Sequence, residues 1–208
     1  MRAVWTDFAG VLTPPVGETV RSFCAAQGIE PDQYLGAMKV VGDRYGGDTM
    51  APLDTPLITQ DEWATQMEEV LAERYGVSAD LSDFGAKWFA DRRSNTEWVD
   101  WLRTLRRQGT FVGLVSNMVP AWDVHWRAML PVAELFDDVV LSFEVGARKP
   151  EPAIFALAAT RAGVPPRDCV LVDDLAKNCA GAQAAGWHAV HFTSTGEAVA
   201  ELEPWIRR

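Results

Sequence analysis

The sequence predicts an α/β protein: a parallel-sheet core interrupted by an inserted all-helical lobe. Three observations predict it. From Gly109 onward, short apolar runs alternate with helical stretches, the pattern of parallel strands joined by right-handed helical crossovers. One further apolar run, Ala3-Val4-Trp5, stands alone near the start, and between it and Gly109 every periodic stretch has helical spacing. A run of helices between two strands is the mark of an insertion. Finally, four of the apolar runs lead into polar residues of distinct chemistry, as strands do when their carboxyl ends build a site.

The bulk numbers agree. A chain of 208 residues suffices for one sizeable domain, or for a core with a smaller insertion. It is 48% hydrophobic and 23% charged, as in ordinary globular proteins. A formal net charge of -10 argues against a broad basic surface for nucleic acid or anionic lipid. It leaves room for a small anionic substrate, which needs only local positive potential. Cys24, Cys169 and Cys179 form no CxxC pair, so free thiols in a reducing compartment are expected rather than a zinc site or a disulfide framework. No apolar stretch approaches the roughly 20 residues of a membrane span. The chain enters a strand at once, with an acid at residue 7, which does not read as a signal peptide. The expected location is cytoplasmic.

Element by element, Ala3-Val4-Trp5 is a buried strand ending at Asp7, followed by a turn at Gly10. Pro14 and Pro15 stop regular structure. Helical spacing over 18–27 places Val20, Phe23 and Cys24 on one face, and Gly28 ends it. Pro31 suits the first position of a second helix, whose stripe is Tyr34, Leu35, Met38 and Val41. Residues 48–59, rich in Pro, Thr and Asp, read as a loop. Thr59-Gln60-Asp61-Glu62 approximates a capping box before Trp63, Met67, Val70 and Leu71, with Gly76 as the stop. A short helix is expected over about 82–92, and another from Thr96 to just before Gly109. Strands follow over 111–115, 139–143, 169–172 and 188–192. The helices between them carry Trp122, Trp126 and Met129, then residues 152–162, then 178–185. A terminal helix covers 197–206. Most of the nine Trp residues are expected to pack the interior.

The strand ends carry the chemistry: Asp7 after the first, Ser116-Asn117 after the second, Lys149 beyond the third, and Asp173-Asp174 after the fourth, with Asn178 one helical turn later. Each has an ordinary reading alone, as a turn, a helix cap or a surface lysine. Together, in a parallel sheet, they converge on one edge. Carboxylates gathered there repel one another and call for a cation. Mg²⁺ suits an all-oxygen set of Asp carboxylates, a backbone carbonyl and water. A phosphoryl group brought to such a metal needs donors, which Ser116, the amide of Asn117 and the Lys149 ammonium supply. Asp7 is then the candidate nucleophile.

In these features the chain resembles the haloacid dehalogenase-like hydrolase superfamily. The first motif is similar in Asp7-Phe8-Ala9-Gly10-Val11-Leu12, the second in Ser116, the third in Lys149, and the fourth in Val172-Asp173-Asp174 through Asn178. The resemblance implies a Rossmann-like core over 1–14 and 96–208, with an α-helical cap over 15–95. It implies Mg²⁺ held by Asp7, the Ala9 carbonyl and Asp174, with Asp173 and Asn178 in support. It implies catalytic roles for Asp7, Ser116 and Lys149, a phosphate pocket of Phe8, Ala9, Ser116, Asn117 and Lys149, and an aspartyl-phosphate on Asp7. The implied substrate is a small phosphorylated metabolite, and the implied motion is a cap that closes over it. Oligomeric state is not legible.

The departure is Ala9. The family's phosphatases carry an Asp there, which protonates the leaving oxygen and then activates water. That help is worth roughly 10²–10⁴-fold. Three expectations follow: a specialised phosphatase; a phosphonatase-type reaction using a cap lysine (Lys39), or a dehalogenase-type one; or a ligand-binding protein that has lost hydrolysis.

Overall fold

The computed structural model describes residues 2–207. In chain order the elements are β1 (Ala3–Thr6), α1 (Val16–Gln27), α2 (Pro31–Asp43), α3 (Ala51–Asp54), α4 (Gln60–Tyr75), α5 (Phe84–Phe89) and α6 (Thr96–Arg107). Then come β2 (Phe111–Ser116), α7 (Asp123–Met129), α8 (Val132–Leu135), β3 (Asp138–Leu141), α9 (Ser142–Val145) and α10 (Pro152–Ala162). The chain continues with β4 (Cys169–Asp173), α11 (Ala176–Ala184), β5 (His188–His191) and α12 (Thr195–Ile206).

The chain divides into two compact units. One comprises residues 2–15, Arg93–Asn117 and 127–207; the other comprises Val16–Arg92 and Met118–Trp126. The first is the α/β core. Its five strands form one sheet in the order β3-β2-β1-β4-β5, and every pairing is parallel. The three central strands, β2, β1 and β4, are buried along almost their whole length, as when both faces of a sheet are covered. On one face Trp5, Val115, Ile154, Phe155, Leu171 and Trp187 form a continuous core with Ala158 and Ala182. Gly113 lies beside Trp5 in the β1–β2 register, and any Cβ there would overlap the indole. On this strand glycine makes room for tryptophan. Beside β1, the Trp98 indole donates to Thr6 Oγ1 at 3.0 Å, satisfying a buried hydroxyl.

The second unit is helical. Pro31 lies in the first turn of α2, and Thr59 and Glu62 form the reciprocal capping box of α4. Gly76 closes α4 in the left-handed conformation, φ 66°. The interior is aromatic: Phe23 meets Tyr34, Phe84 and Trp88 with ring centroids 4.9–5.5 Å apart. Trp122 stacks on Phe84 and Trp88 and donates to Gln60 Oε1 at 2.8 Å. That cluster explains why Met118–Trp126, which follows β2 in sequence, groups with the helices rather than with the sheet.

The structure departs from the expected elements at several points. Residues 48–59 contain α3, started by Asp48 Oδ1 accepting from the amides of Met50 and Ala51. Four residues are too few to show a helical period. The third strand stops at Leu141, and Ser142 and Phe143 begin α9. The helix expected over 82–92 is limited to Phe84–Phe89, and α8 was not foreseen. The three cysteines are free and buried. Among the described residues, no helix is long and apolar enough to cross a membrane.

Candidate active site

The sheet register decides what meets at its carboxyl edge. Thr6 pairs with Leu114 on one side and Val172 on the other. Residues just beyond β1, β2 and β4 therefore emerge together. Strand order reverses at β1, where an open α/β sheet leaves its binding crevice. The Asp7 amide donates to the Val172 carbonyl at 2.8 Å, which extends the pairing to the acid itself. Beyond it the chain turns, with the Leu12 amide on the Phe8 carbonyl at 2.9 Å. Gly10 sits in the turn at φ 80°.

Asp7, Ser116, Lys149 and Asp173 form one buried network. Ser116 Oγ donates to Asp7 Oδ1 at 2.8 Å. Lys149 Nζ lies 2.8 Å from Asp7 Oδ1 and 2.5 Å from Asp173 Oδ2. The lysine is only 1% exposed, so it is held by charge rather than by solvent. Its backbone is fixed by Asn117, whose side chain donates to the Lys149 carbonyl at 2.9 Å and accepts from the Lys149 amide at 2.8 Å. The expected phosphate donor Asn117 thus has its side-chain amide committed to placing Lys149. The next residue, Pro150, lies against α11 at Gly181, where a Cβ would strike it. Asp173 also accepts from the Leu175 amide and from Asn178 Nδ2, both at 2.9 Å.

Burial dominates the electrostatics. It raises the Asp7 carboxyl above the ordinary range; the Asp173 charge adds to this and Lys149 works against it. Asp174 is pushed up to about 7, first by burial, then by the negative charges of Asp7 and Asp173. For Lys149, burial alone would lower the pKa. Asp173 and Asp7 outweigh it and hold the ammonium above its usual value.

One oxygen from each of Asp7, Asp173 and Asp174 lies within 4.8 Å of the others. Asn178 Oδ1 is buried without a hydrogen-bond partner, although its Nδ2 is satisfied. Three crowded carboxylates, with Asp7 and Asp174 held above their usual range, and an orphaned amide oxygen make an all-oxygen set short of positive charge. These residues fit a small hard divalent cation, with water reaching the amide oxygen. Ala9 is partly exposed and brings no carboxylate to the turn.

Lys39, raised by the sequence, and several further polar residues are occupied elsewhere. Lys39 is exposed and paired with Asp43 at 2.8 Å. Arg44 donates to Gln66, which in turn donates to Tyr45. His188 stacks on Trp205. His191, which the sequence did not single out, lies beside the site. Its Nε2 lies 2.9 Å from the Asp174 carbonyl oxygen. The signal was its place in β5, where it pairs in register with Asp173. Beside Gly10 and Asp174 opens a cavity of about 490 Å³, bounded by residues 13–15, 94–95 and 192–195.

Comparison with known proteins fits this geometry. A family model described as haloacid dehalogenase-like hydrolase matches residues 1–186. The chain is 38% identical over 107 residues to a glyceraldehyde 3-phosphate phosphatase of Methanopyrus kandleri, covering 50% of this chain and 45% of the relative. It is 31% identical over 126 residues to a phosphoserine phosphatase of Thermus thermophilus, covering 59% and 51%. The chain spans about half the length of these curated relatives. Among solved structures, a HAD family enzyme of Bacteroides thetaiotaomicron in complex with magnesium and inorganic phosphate superposes with a TM-score of 0.68 at 22% identity, covering 94% of this chain and 96% of that one. An L-2-haloacid dehalogenase of Xanthobacter autotrophicus gives 0.65 at 20% identity, covering 97% and 81%.

Proposed function

The chain belongs to the haloacid dehalogenase-like hydrolases, and from that premise we propose that it is a magnesium-dependent phosphohydrolase acting on a small phosphorylated metabolite. The observation that carries the proposal is Lys149, buried between Asp7 and Asp173 beside a three-carboxylate cluster. The buried ammonium carries three donors and meets these two acids. A lysine shared by a strand-end nucleophile and a metal-supporting acid is placed to neutralise an incoming anion.

Asp7, the Ala9 carbonyl and Asp174 would hold Mg²⁺, with Asp173 and Asn178 in support. When bound, the ion supplies positive charge for the carboxylates and for a phosphoryl oxygen. The Asp7 carboxylate attacks phosphorus. The Asp7–phosphorus bond forms as the bond to the leaving oxygen breaks, and that oxygen keeps the electron pair. Ser116 and Lys149 donate to the phosphoryl oxygens, with the amides of Phe8, Ala9 and Asn117. Water then attacks phosphorus, the phosphorus–Asp7 bond breaks with its electron pair returning to the carboxylate, and the proton lost by the water passes to the departing phosphate or to solvent. Neither half-reaction has a carboxyl group at residue 9, so substrates whose leaving oxygen stabilises its own charge are favoured, acyl phosphates among them.

The test is a panel of phosphate esters, acyl phosphates and phosphonates with Mg²⁺. Wild type is expected to release phosphate from at least one, and Asp7→Asn to release none. Equal activity in the two overturns the proposal. Ala9 favours a second reading, a ligand-binding protein without turnover. It gains if both proteins are inert while inorganic phosphate with Mg²⁺ still raises the melting temperature of wild type.

A further inference from the structure

We infer that His191 is a positioning residue for Asp174: its imidazole fixes the peptide that carries this carboxylate, and thereby sets the site's preference for Mg²⁺ over a larger divalent cation. The inference rests on the magnesium-dependent reading of the site.

Three successive carbonyls lead away from β4 at the catalytic edge. The first, of Asp173, accepts from the Phe192 amide at 2.9 Å. The third, of Leu175, accepts from the amides of Asn178 at 2.9 Å and Cys179 at 3.2 Å as α11 begins. The middle one, of Asp174, takes no main-chain amide among the described residues. Its partner is His191 Nε2, 2.9 Å away. A carbonyl oxygen can only accept, so Nε2 carries the hydrogen. The Asp174 peptide thus falls between the end of the sheet ladder and the start of the helix. A side chain does for it what main-chain amides do for its neighbours.

The aim of the carboxylate follows from that peptide. Gly10 lies against the Asp174 side chain, where a Cβ would overlap it, and so bounds its movement toward the turn. The His191 bond bounds rotation of the main chain behind it. His191 is itself anchored, because its backbone lies in β5 and pairs with Asp173. Its side chain is exposed, so the core does not depend on an imidazole there.

Such a hold matters most for a cation with strict geometry. Mg²⁺ demands a near-ideal octahedron at about 2.0–2.1 Å, whereas Ca²⁺ accepts roughly six to eight oxygens in flexible arrangements. Partners that orient a metal ligand are typically worth about 10–100-fold in affinity. A freely turning Asp174 peptide therefore costs Mg²⁺ more than it costs Ca²⁺.

The experiment titrates metal-free protein calorimetrically with Mg²⁺ alone and with Ca²⁺ alone, at one fixed pH. His191→Phe keeps a ring and deletes the donor. His191→Gln places an amide nitrogen at about the distance of Nε2 and restores it. His191→Phe is expected to weaken Mg²⁺ binding at least fivefold and to lower the ratio of the Ca²⁺ Kd to the Mg²⁺ Kd at least threefold. His191→Gln is expected to return both to within twofold of wild type. An unchanged ratio in folded His191→Phe, with or without a lower melting temperature, marks a merely structural contact and overturns the inference. So does a glutamine variant that behaves as the phenylalanine one. If wild type binds neither ion, the magnesium-dependent reading fails, and amide hydrogen exchange over residues 174–178 of the metal-free protein decides the His191 contact separately. Faster exchange in His191→Phe but not in His191→Gln supports the hold on Asp174, and equal exchange in all three proteins overturns it.

Discussion

Asp174 occupies the space that a side chain on residue 10 would need. A Cβ built on Gly10 would overlap the Asp174 carboxylate, and Gly10 holds φ 80°, where other residues are strained. The turn after β1 and the acid after β4 thus fit only because residue 10 has no side chain. Gly10→Ala is expected to displace Asp174 and weaken Mg²⁺ binding at least tenfold. Strain adds a stability loss of about 1–3 kcal/mol. Calorimetric Mg²⁺ titration and urea denaturation measure the two effects separately. Unchanged metal affinity would show that Asp174 does not hold the ion.

Removing Lys149 strands two buried carboxylates. Lys149→Met keeps much of the volume and deletes the charge. Breaking one partner of a buried pair typically costs about 3–5 kcal/mol, and a loss of that order is expected at pH 7 without metal. It shrinks at pH 5, because Asp7, already pushed up by burial, becomes protonated more readily without the ammonium. Denaturation at both pH values, with and without Mg²⁺, reads this directly.

The raised acids give metal binding a pH dependence. Asp174 titrates at about 7 in the folded protein, against 3.8 as the ordinary value. Between those values the folded state holds a proton that the unfolded state has released, so metal-free stability falls as pH rises from about 4 to about 7. Mg²⁺ needs the deprotonated carboxylate. Its affinity is therefore expected to rise with pH through about 7, with proton release below that point. Melting curves across pH and calorimetry in buffers of different ionisation enthalpy test both signs. Metal-free stability that climbs over this window would contradict the burial argument.

Restoring the absent acid is the direct test of residue 9. Ala9→Asp is expected to raise turnover of simple alkyl phosphates at least tenfold, equivalent to about 1.4 kcal/mol of barrier. It should matter less for acyl phosphates, whose leaving groups need no proton. A variant that gains nothing on either class would place the limit in the pocket's shape.

The sequence by itself determined the parallel core, the inserted helices and the identity of the polar residues at the strand ends. These are local properties. Alternating apolar runs, proline and glycine stops and the Thr59–Glu62 cap are each written within a few neighbouring residues, and their physics acts at that range. Ala9 was visible in the same way, as one missing carboxylate beside Asp7. Tertiary structure decided how the residues are used. Only the β4-β1-β2 register brings Asp173 and Ser116 to Asp7, and only the fold commits the Asn117 side chain to the Lys149 backbone. Lys149 is bound to two acids that lie 142 and 24 residues away in the chain. Met118–Trp126 joined the helical unit because Trp122 completes an aromatic cluster that no sequence period marks. His191 reached Asp174 because β5 lies beside β4. Contacts of this kind depend on long-range packing, whose free energy is shared among many side chains and carried by no short pattern.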